Sequence, residues 1–255
     1  MDKVTLHLWC ASPDDLREEE IAEACARLLS EEERARWQAF KFDRHRREYL
    51  ATHALARTAL SYHGRLPPEA WRFELNNFGK PAIEPECGLR FNLSNSPGLV
   101  VCLIGEGAEV GVDLEPRERA DSIAEVGPRM FSPRELEQLG NLRDDERPER
   151  ALRLWTLKEA YIKARGIGLS LPLNKFSFLF DGAEAIRMEL DASLGDEPER
   201  WQFCLMNHCG HCIAMMVESR TAPELHVREA RPLLAPATKL PAGKELWFPN
   251  PAVSS

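Results

Sequence analysis

The sequence has no apolar run long enough to cross a membrane. Its longest candidates, GLVVCLIG and CIAMMV, fall far short of the roughly 20 residues that a transmembrane helix needs. The first residues, MDKVTLHLWCAS, alternate as a strand does and contain no apolar core of a signal peptide. We therefore expect a cytoplasmic protein with no membrane association.

Paired cysteines and excess positive charge are also missing. The seven cysteines are scattered and form no disulfide framework, which is typical of a reducing compartment. A net charge of −8 disfavours nucleic-acid binding. One basic segment, RARWQAFKFDRHRR from Arg34 to Arg47, stands out in this acidic chain. It is either a solvated helix face or a landing site for a phosphate-rich or acidic partner.

The segment CLMNHCGHC raises a zinc hypothesis, because Cys209, His211 and Cys212 could approach one ion. However, two strand-like runs flank it, and no second pair of ligands follows at zinc-finger spacing. A β-hairpin that happens to carry cysteines is therefore the favoured interpretation.

What is present is an alternation of helical and strand-like segments, with 44% hydrophobic and 29% charged residues. Residues 13–29 have helical spacing, and Ser30 with Glu33 forms a capping box for the next helix. REYLATHALARTALSYH predicts a long amphipathic helix, and several strands follow it. SPRELEQLG predicts a short helix with Pro at its first position. These patterns predict an α+β fold.

Each half of the chain runs from helices to a long amphipathic helix and then to strands. This parallel suggests an internal duplication near residue 116 and two similar α+β lobes. We expect lobes at residues 1–115 and 116–220, a Pro-rich tail at 221–255, and a site where the lobes meet.

Three segments carry polar groups suited to phosphate chemistry. In GVDLE, Asp113 and Glu115 share one face of a strand, which favours Mg²⁺ if they are not simply an exposed strand end. FNLSNSPG presents Ser94 and Asn95 beside a turn, and NFGKP places Lys80 on a turn. Both patterns suit phosphate binding, and both also occur in ordinary turns.

A further segment with helical spacing is WTLKEAYIKARGIG. Its Glu159 and Lys163 form an i,i+4 pair that is common on solvent faces and contributes only about 0.2–0.5 kcal/mol. Trp155 and Ile162 draw the same side of the helix toward the interior. Glu159 is therefore a candidate metal ligand or general base, and Lys163 a candidate phosphate contact.

Taken in order, GKP, FNLSNS, GVDLE and WTLKEAYIKARG resemble the 4′-phosphopantetheinyl transferases of the surfactin-synthetase-activating type. The details are similar to the broad-specificity enzymes of pseudomonads, and the resemblance runs from about Ser30 to Leu173. It implies two lobes related by a pseudo-two-fold axis. It also implies transfer of the phosphopantetheine arm of coenzyme A to a serine of acyl or peptidyl carrier proteins, with release of 3′,5′-ADP, by an enzyme that we expect to be monomeric.

The resemblance also assigns roles to residues. Asp113, Glu115 and Glu159 would hold Mg²⁺ (or Mn²⁺), and Glu159 would take the proton of the incoming serine. The expected contacts to the phosphates of coenzyme A are made by Arg36, Lys80, Ser94, Asn95, Lys158 and Lys163. Within this set, Arg36 matches a position that binds the 3′-phosphate.

The chain departs from the family pattern in two places. Asn95 replaces the usual His, and an amide offers only a neutral donor to a phosphate. Glu33 stands where some relatives have Lys, which leaves Arg36, with Arg44 or Arg47, to meet the 3′-phosphate.

The segment RMFSPRELEQLG allows two interpretations, because Met130, Phe131 and Leu136 could either receive a carrier helix or belong to the core.

Two alternative functions are a non-catalytic binding module and another Mg²⁺-dependent phosphoryl-transfer enzyme such as a nucleotide hydrolase. The complete carboxylate set argues against the first, and the absence of a Walker-type loop argues against the second.

Overall fold

Two long helices organise the fold, each lying on its own sheet. The structure is a computed structural model that describes residues 3–182, 185–231, 238–239 and 247–249. In chain order, the described helices are α1 Glu18–Leu28, α2 Glu31–Ala39, α3 Asp43–His63, α4 Ala120–Val126, α5 Pro133–Gly140 and α6 Arg147–Arg165. Within the described ranges, no helix combines the length and the apolar character needed to cross a bilayer.

The strands form two larger sheets and two small two-stranded ones. The strands are β1 Thr5–Ala11, β2 Arg72–Leu75, β3 Pro81–Glu84, β4 Leu89–Ser96, β5 Leu99–Glu106, β6 Val110–Pro116, β7 Phe176–Asp181, β8 Ala185–Leu190, β9 Trp201–His208, β10 His211–Glu218, β11 Glu224–Glu229, β12 Thr238–Lys239 and β13 Trp247–Pro249. The first sheet has the order β12-β11-β1-β5-β4, and the second has the order β13-β9-β10-β6. Helices and sheets are both extensive, so the predicted α+β class is confirmed.

Side-chain alternation in the strands creates three apolar layers. In β1, Trp9 and Ala11 pack toward α3, whereas Leu6, Leu8 and Cys10 belong to a layer shared with the second sheet. The two sheets therefore pack face to face, since successive strand residues point to opposite faces. A third apolar layer, formed largely by α6 and the second sheet, covers the other side.

Strand β6 brings the second sheet and α6 very close together. Val110 and Val112 point into the layer between the sheets, so Gly111 and Asp113 face α6. A Cβ on Gly111 would lie only 2.1 Å from the carbonyl oxygen of Ala160 in α6. The glycine thus allows the strand backbone to approach the helix backbone directly.

Most local predictions are confirmed. Ser30 accepts a hydrogen bond from the backbone N–H of Glu33 at the start of α2, and the Glu33 carboxylate accepts one from Ser30. Pro133 begins α5 at its first position.

The sequence patterns did not predict that strand β11 pairs with β1. Strand β11 lies within the expected tail, and it pairs in parallel with β1, whereas β6 pairs with β10 of the second sheet. Most of the tail beyond residue 231 lies outside the described residues.

Candidate active site

The two carboxylates of β6 lie under α6. Asp113 and Glu115 are only 6% and 8% exposed, so both must be compensated by neighbouring donors or cations. Because they are two residues apart in a strand, their side chains point to the same face. This face meets the helix that carries Glu159 and Lys163.

The two carboxylate oxygens of Asp113 have different surroundings. Its Oδ1 accepts a hydrogen bond from Lys163 Nζ at 2.6 Å and another from Ser94 Oγ at 3.0 Å. Lys163 Nζ also donates to Ser94 Oγ at 2.9 Å, which closes a small triangle. The second oxygen, Oδ2, is buried and has no hydrogen-bond partner among the described residues. A buried carboxylate oxygen without a donor is costly, and a cation would relieve that cost.

Glu115 is held from both sides. Its Oε1 accepts a hydrogen bond from the indole N–H of Trp155 at 3.0 Å, and its Oε2 accepts one from Arg119 at 2.6 Å. Burial, followed by the nearby negative charge of Asp113, nevertheless raises the pKa of Glu115. The carboxylate is therefore held in one orientation, although burial and Asp113 disfavour its charged form.

Glu159 lies on the same face of α6 as Lys163 and is partly buried. Burial raises its pKa to about 7, and the charges of Asp113 and Glu115 act in the same direction, while Lys163 acts against them. A carboxylate with a pKa close to the operating pH is well suited to proton transfer.

Strand β4 closes the site from the first sheet. The side chain of Asn92 accepts a hydrogen bond at 2.9 Å from the backbone N–H of Val112, and this bond joins the edges of the two sheets. Ser94 is thereby placed beside Asp113, as described above. Asn95 points away from this triangle and is exposed, yet it lines the same recess as Ser94 and Asp113.

Two cavities meet at Lys163, which lines both of them. The smaller one, about 320 Å³, is polar and contains the β6 carboxylates. The larger one, about 470 Å³, has a size typical of small-molecule sites. Its lining combines the aromatic rings of Phe73 and Phe78 with the basic side chains of Arg36 and Lys80. The smaller cavity thus offers the β6 carboxylates, and the larger one offers basic and aromatic side chains together with the carboxylate of Glu159.

The two basic residues of the larger cavity differ in their freedom. Arg36 is exposed, and no hydrogen bond or ion pair engages it within the described part of the chain. Lys80 Nζ already donates to Glu109 at 2.8 Å and to the carbonyl oxygens of Val110 and Ala164. A ligand would therefore find Arg36 available, whereas Lys80 would have to exchange a present partner.

Glu33, at the rim of the larger cavity, does not act as a free negative charge. It accepts hydrogen bonds from His53 at 2.9 Å and from Arg57 at 2.8 Å. Although burial alone would raise its pKa, His53 and Arg57 hold the pKa at about 2. Of the other predicted 3′-phosphate residues, Arg47 is bonded to the carbonyl oxygen of Leu16 and to Glu18.

The expectation for Lys158 is wrong. Its side chain is fully buried, and it donates to the equally buried Glu135 at 2.8 Å and to two backbone carbonyl oxygens at 2.7 Å. Lys158 and Lys163 are five residues apart, so they point to different sides of α6. Lys158 therefore cannot contact a phosphate in either cavity.

The three apolar residues proposed for carrier docking differ in their burial. Phe131 is 4% exposed, and Met130 and Leu136 pack against the same apolar layer around α6. The structure therefore supports a core role for Phe131, whereas docking of a carrier helix at the partly exposed Met130 and Leu136 stays a prediction.

The zinc hypothesis for Cys209, His211 and Cys212 is not supported by the structure. Strands β9 and β10 form a hairpin, as the favoured interpretation had it, and their turn lies at Cys209-Gly210. His211 has both ring nitrogens at backbone carbonyl oxygens, those of Cys209 at 2.7 Å and Pro97 at 3.1 Å. Cys212 is buried in the layer around α6. Neither His211 nor Cys212 is free to join Cys209 around an ion.

Sequence reasoning missed the groups that orient the acids. Asn92, Arg119 and the indole N–H of Trp155 each contact the β6 segment directly. Trp155 precedes Glu159 by one helical turn, so its position on the same face was a usable signal. Arg119 is four residues beyond Glu115, but only the turn after β6 reveals that it folds back.

The donor set fits a hard divalent cation. Three carboxylates from β6 and α6 influence one another electrostatically, and one buried oxygen of Asp113 has no hydrogen-bond partner in the part of the chain that the structure describes. Oxygen donors of this kind suit Mg²⁺ or Mn²⁺ better than zinc.

The sequence is similar to those of several known proteins. The family model of the 4′-phosphopantetheinyl transferase superfamily matches residues 109–215. The 4′-phosphopantetheinyl transferase HetI of Nostoc sp. is 35% identical over 168 residues, covering 65% of this chain and 70% of that protein. The 4′-phosphopantetheinyl transferase Sfp of Bacillus subtilis is 32% identical over 179 residues, covering 66% of this chain and 79% of that protein.

A solved holo-[acyl-carrier-protein] synthase of Helicobacter pylori, in complex with coenzyme A, is 19% identical with a TM-score of 0.36. It covers 43% of this chain and 99% of that chain, a likeness too weak to bear on the site. The similarity to HetI and Sfp, each matched over more than two thirds of its length, is decisive. The chain belongs to the 4′-phosphopantetheinyl transferase family.

Proposed function

We propose that this transferase moves the 4′-phosphopantetheine arm of coenzyme A to a serine of apo acyl and peptidyl carrier proteins and releases 3′,5′-ADP. We further propose that Mg²⁺, or Mn²⁺ in its place, is held by Asp113, Glu115 and Glu159. The observation that carries the proposal is the buried, unpartnered Oδ2 of Asp113 beside two carboxylates with raised pKa values. When bound, the metal ion supplies positive charge against the pyrophosphate of coenzyme A.

Coenzyme A is expected to lie across the two cavities. Its pyrophosphate would meet Lys163, where the cavities join, and its nucleotide end would extend into the larger cavity. There Arg36 offers an exposed guanidinium for the 3′-phosphate, and Phe73 and Phe78 offer apolar surface. Ser94 and Asn95 would contact the phosphates from β4, with Lys80 as a further contact.

Glu159 is the proposed base. Phosphoryl transfer depends mainly on positioning and charge neutralisation, so the enzyme needs little covalent assistance. Glu159 would accept the proton of the serine hydroxyl as that oxygen attacks the β-phosphorus atom of coenzyme A. Lys163, held by Asp113 and Ser94, would balance the negative charge that develops on the phosphate oxygens.

The architecture supports a site between two lobes. We propose lobes at residues 1–115 and 116–220, related by a pseudo-two-fold axis, with a tail at 221–255. In support, α3 packs on the first sheet and α6 on the second, and β4 and α6 contribute to the site from opposite sides. A monomeric state and a cytoplasmic location stay predictions.

The proposal is tested by incubating the protein with coenzyme A, Mg²⁺ and several apo carriers of the acyl and peptidyl types. We expect the intact mass of a carrier to increase by one phosphopantetheine arm, and a metal chelator to abolish the increase. No mass gain on any carrier, with the protein folded and coenzyme A intact, would contradict the proposal.

A further inference from the structure

Three metal-binding side chains meet outside the candidate active site, near the end of β6, where the backbone N–H of Arg117 donates to the carbonyl oxygen of Gly210 at 3.0 Å. They are His208 and Cys209 at the turn of the β9–β10 hairpin and Glu229 at the end of β11. One ligand atom from each of the three lies within 4.8 Å of the other two. We propose that these side chains form a separate site for Zn²⁺ or a similar borderline divalent cation.

Two of the three distances between the ligand atoms are close to those of tetrahedral coordination. His208 Nε2 lies 3.4 Å from Cys209 Sγ and 3.6 Å from Glu229 Oε1. Zinc bond lengths of roughly 2.1 Å to nitrogen, 2.3 Å to sulfur and 2.1 Å to oxygen, at tetrahedral angles, require an N···S separation of about 3.6 Å and an N···O separation of about 3.4 Å. An ion could therefore enter with only small side-chain adjustments.

The elements direct the three donors toward one another. In β11, Glu229 shares a face with Leu225 and Val227, which pack in the layer between the two sheets. Its carboxylate thus points toward the second sheet, where the β9–β10 turn lies. Within the described ranges, Cys209 is the single non-glycine residue with a positive φ, 46°, and Gly210 follows with 76°. This backbone holds the thiol at the tip of the hairpin.

The charges and the neighbouring groups also suit a divalent ion. A thiolate and a carboxylate together carry two negative charges, which one Zn²⁺ cancels, and the thiol proton leaves to solvent on binding. Three protein ligands leave the fourth position for water. Cys10 is no substitute for Cys209, because Cys10 is buried in the layer between the two sheets, whereas Cys209 is exposed.

The site would connect the two sheets at one end. Glu229 pairs with Cys10 in the first sheet, whereas His208 pairs with His211 in the second. A bound ion would therefore fasten the hairpin turn to the end of β11. The proposal does not depend on the transferase site, since the two share no residue.

The test uses Co²⁺ as a spectroscopic probe on the full chain, under reducing conditions and with excess Mg²⁺ to occupy the carboxylates of the transferase site. We expect one equivalent of Co²⁺ to produce thiolate-to-cobalt absorption, and Zn²⁺ to displace it. Cys209→Asn removes the ligand and places at this turn a residue that tolerates positive φ well. The variant should fold at least as stably as the wild type yet lose the absorption, with affinity falling by about 100-fold or more.

Two controls make the result specific. Cys87→Ser removes the other exposed cysteine and should leave the absorption unchanged. Asp113→Asn weakens the carboxylate site and should also leave it unchanged. Glu229→Gln should weaken Co²⁺ binding without moving the protein's own stability. Absence of thiolate absorption in the wild type, or its persistence in Cys209→Asn, would overturn the proposal.

Discussion

Two lysines of α6 show that the role of a side chain depends on the face of the helix from which it projects. Lys163 reaches a partly open site and shares Asp113 with Ser94, whereas Lys158 lies in the core with Glu135. Burial lowers the pKa of Lys158 and raises that of Glu135, while the attraction between the two charges opposes both shifts. The core therefore tolerates these two buried charges only when both are present.

Lys158→Met should lower the free energy of unfolding by about 3–5 kcal/mol, because it leaves the Glu135 charge buried without a cation. Adding Glu135→Gln should recover part of the loss, since an amide carries no charge and its oxygen can still accept one of the two hydrogen bonds donated by the backbone N–H groups of Ser132 and Phe178. Urea unfolding of the three proteins measures both effects.

The matched control is Lys175→Met, because Lys175 is 44% exposed and pairs with Asp191 at the surface. That change should shift the stability by no more than about 1 kcal/mol. Equal effects of the two lysine substitutions would contradict the account of the buried pair.

At the scale of elements, the contact between β6 and α6 positions the acids. Gly111 is the residue that allows it, because a methyl group there would lie 2.1 Å from Ala160 O and 2.4 Å from Ala164 N. Both atoms belong to the backbone of α6 and cannot move aside independently. The separation of Asp113 from Glu159 and Lys163 therefore depends on this glycine.

Gly111→Ala should destabilise the protein by at least about 1–3 kcal/mol, as overpacking typically does, and should displace α6 from β6. Transfer activity should fall at temperatures where the variant is still folded. Thermal unfolding and activity, measured on the same sample, check this expectation.

Gly140→Ala is the control, because Gly140 ends α5 with open space around its Cβ position. Alanine there should be neutral or stabilising by up to about 1 kcal/mol. If Gly111→Ala were as harmless as Gly140→Ala, the close backbone approach would not be required.

Local patterns predicted the elements well but not their long-range partners. Ser30 and Glu33 form the expected capping box, and the alternation of GVDLE correctly places Asp113 and Glu115 on one face. Periodicity contains no information about which distant strands pair, so the parallel contact of β11 with β1 was missed. The same limit explains the wrong role for Lys158: its partner Glu135 is 23 positions away in the sequence.

At the scale of the whole molecule, a histidine cluster between the first sheet and the end of α3 should make the protein sensitive to acid. The ring of His7 stacks on those of His63 and His226, and Arg228 and Glu106 lie nearby. Burial, followed by the neighbouring positive groups, lowers the pKa of both His7 and His63 to about 4. In the unfolded chain both would titrate near 6.5.

The unfolded state therefore binds more protons than the folded state between pH 6.5 and about 4. The stabilising contribution of neutral His7 and His63 is complete above pH 6.5 and should be lost progressively as the pH falls to about 4. Buried carboxylates such as Glu115 and Glu135, with raised pKa values, act in the opposite direction. A variant is needed to separate the two contributions.

His63→Gln removes one of the titrating rings and keeps an oxygen that can reach the position of His63 Nε2 and accept the hydrogen bond from Trp9 Nε1. The difference in unfolding free energy between wild type and variant, from urea titrations, should shift against the wild type as the pH drops from 6.5 to 4. Parallel pH dependences would show that His63 does not titrate in this way.

The central claim is that the carboxylates of β6 and α6 carry out phosphopantetheine transfer, and Glu159→Gln tests it most directly. The substitution keeps size and shape but removes the proposed base, and Glu125→Gln makes the same change at an exposed position of α4. With Mg²⁺, coenzyme A and an apo carrier, intact mass spectrometry should show transfer reduced by at least about 100-fold for Glu159→Gln. The Glu125→Gln variant should modify the carrier at the wild-type rate. A Glu159→Gln variant that modifies the carrier as fast as Glu125→Gln does would contradict the account.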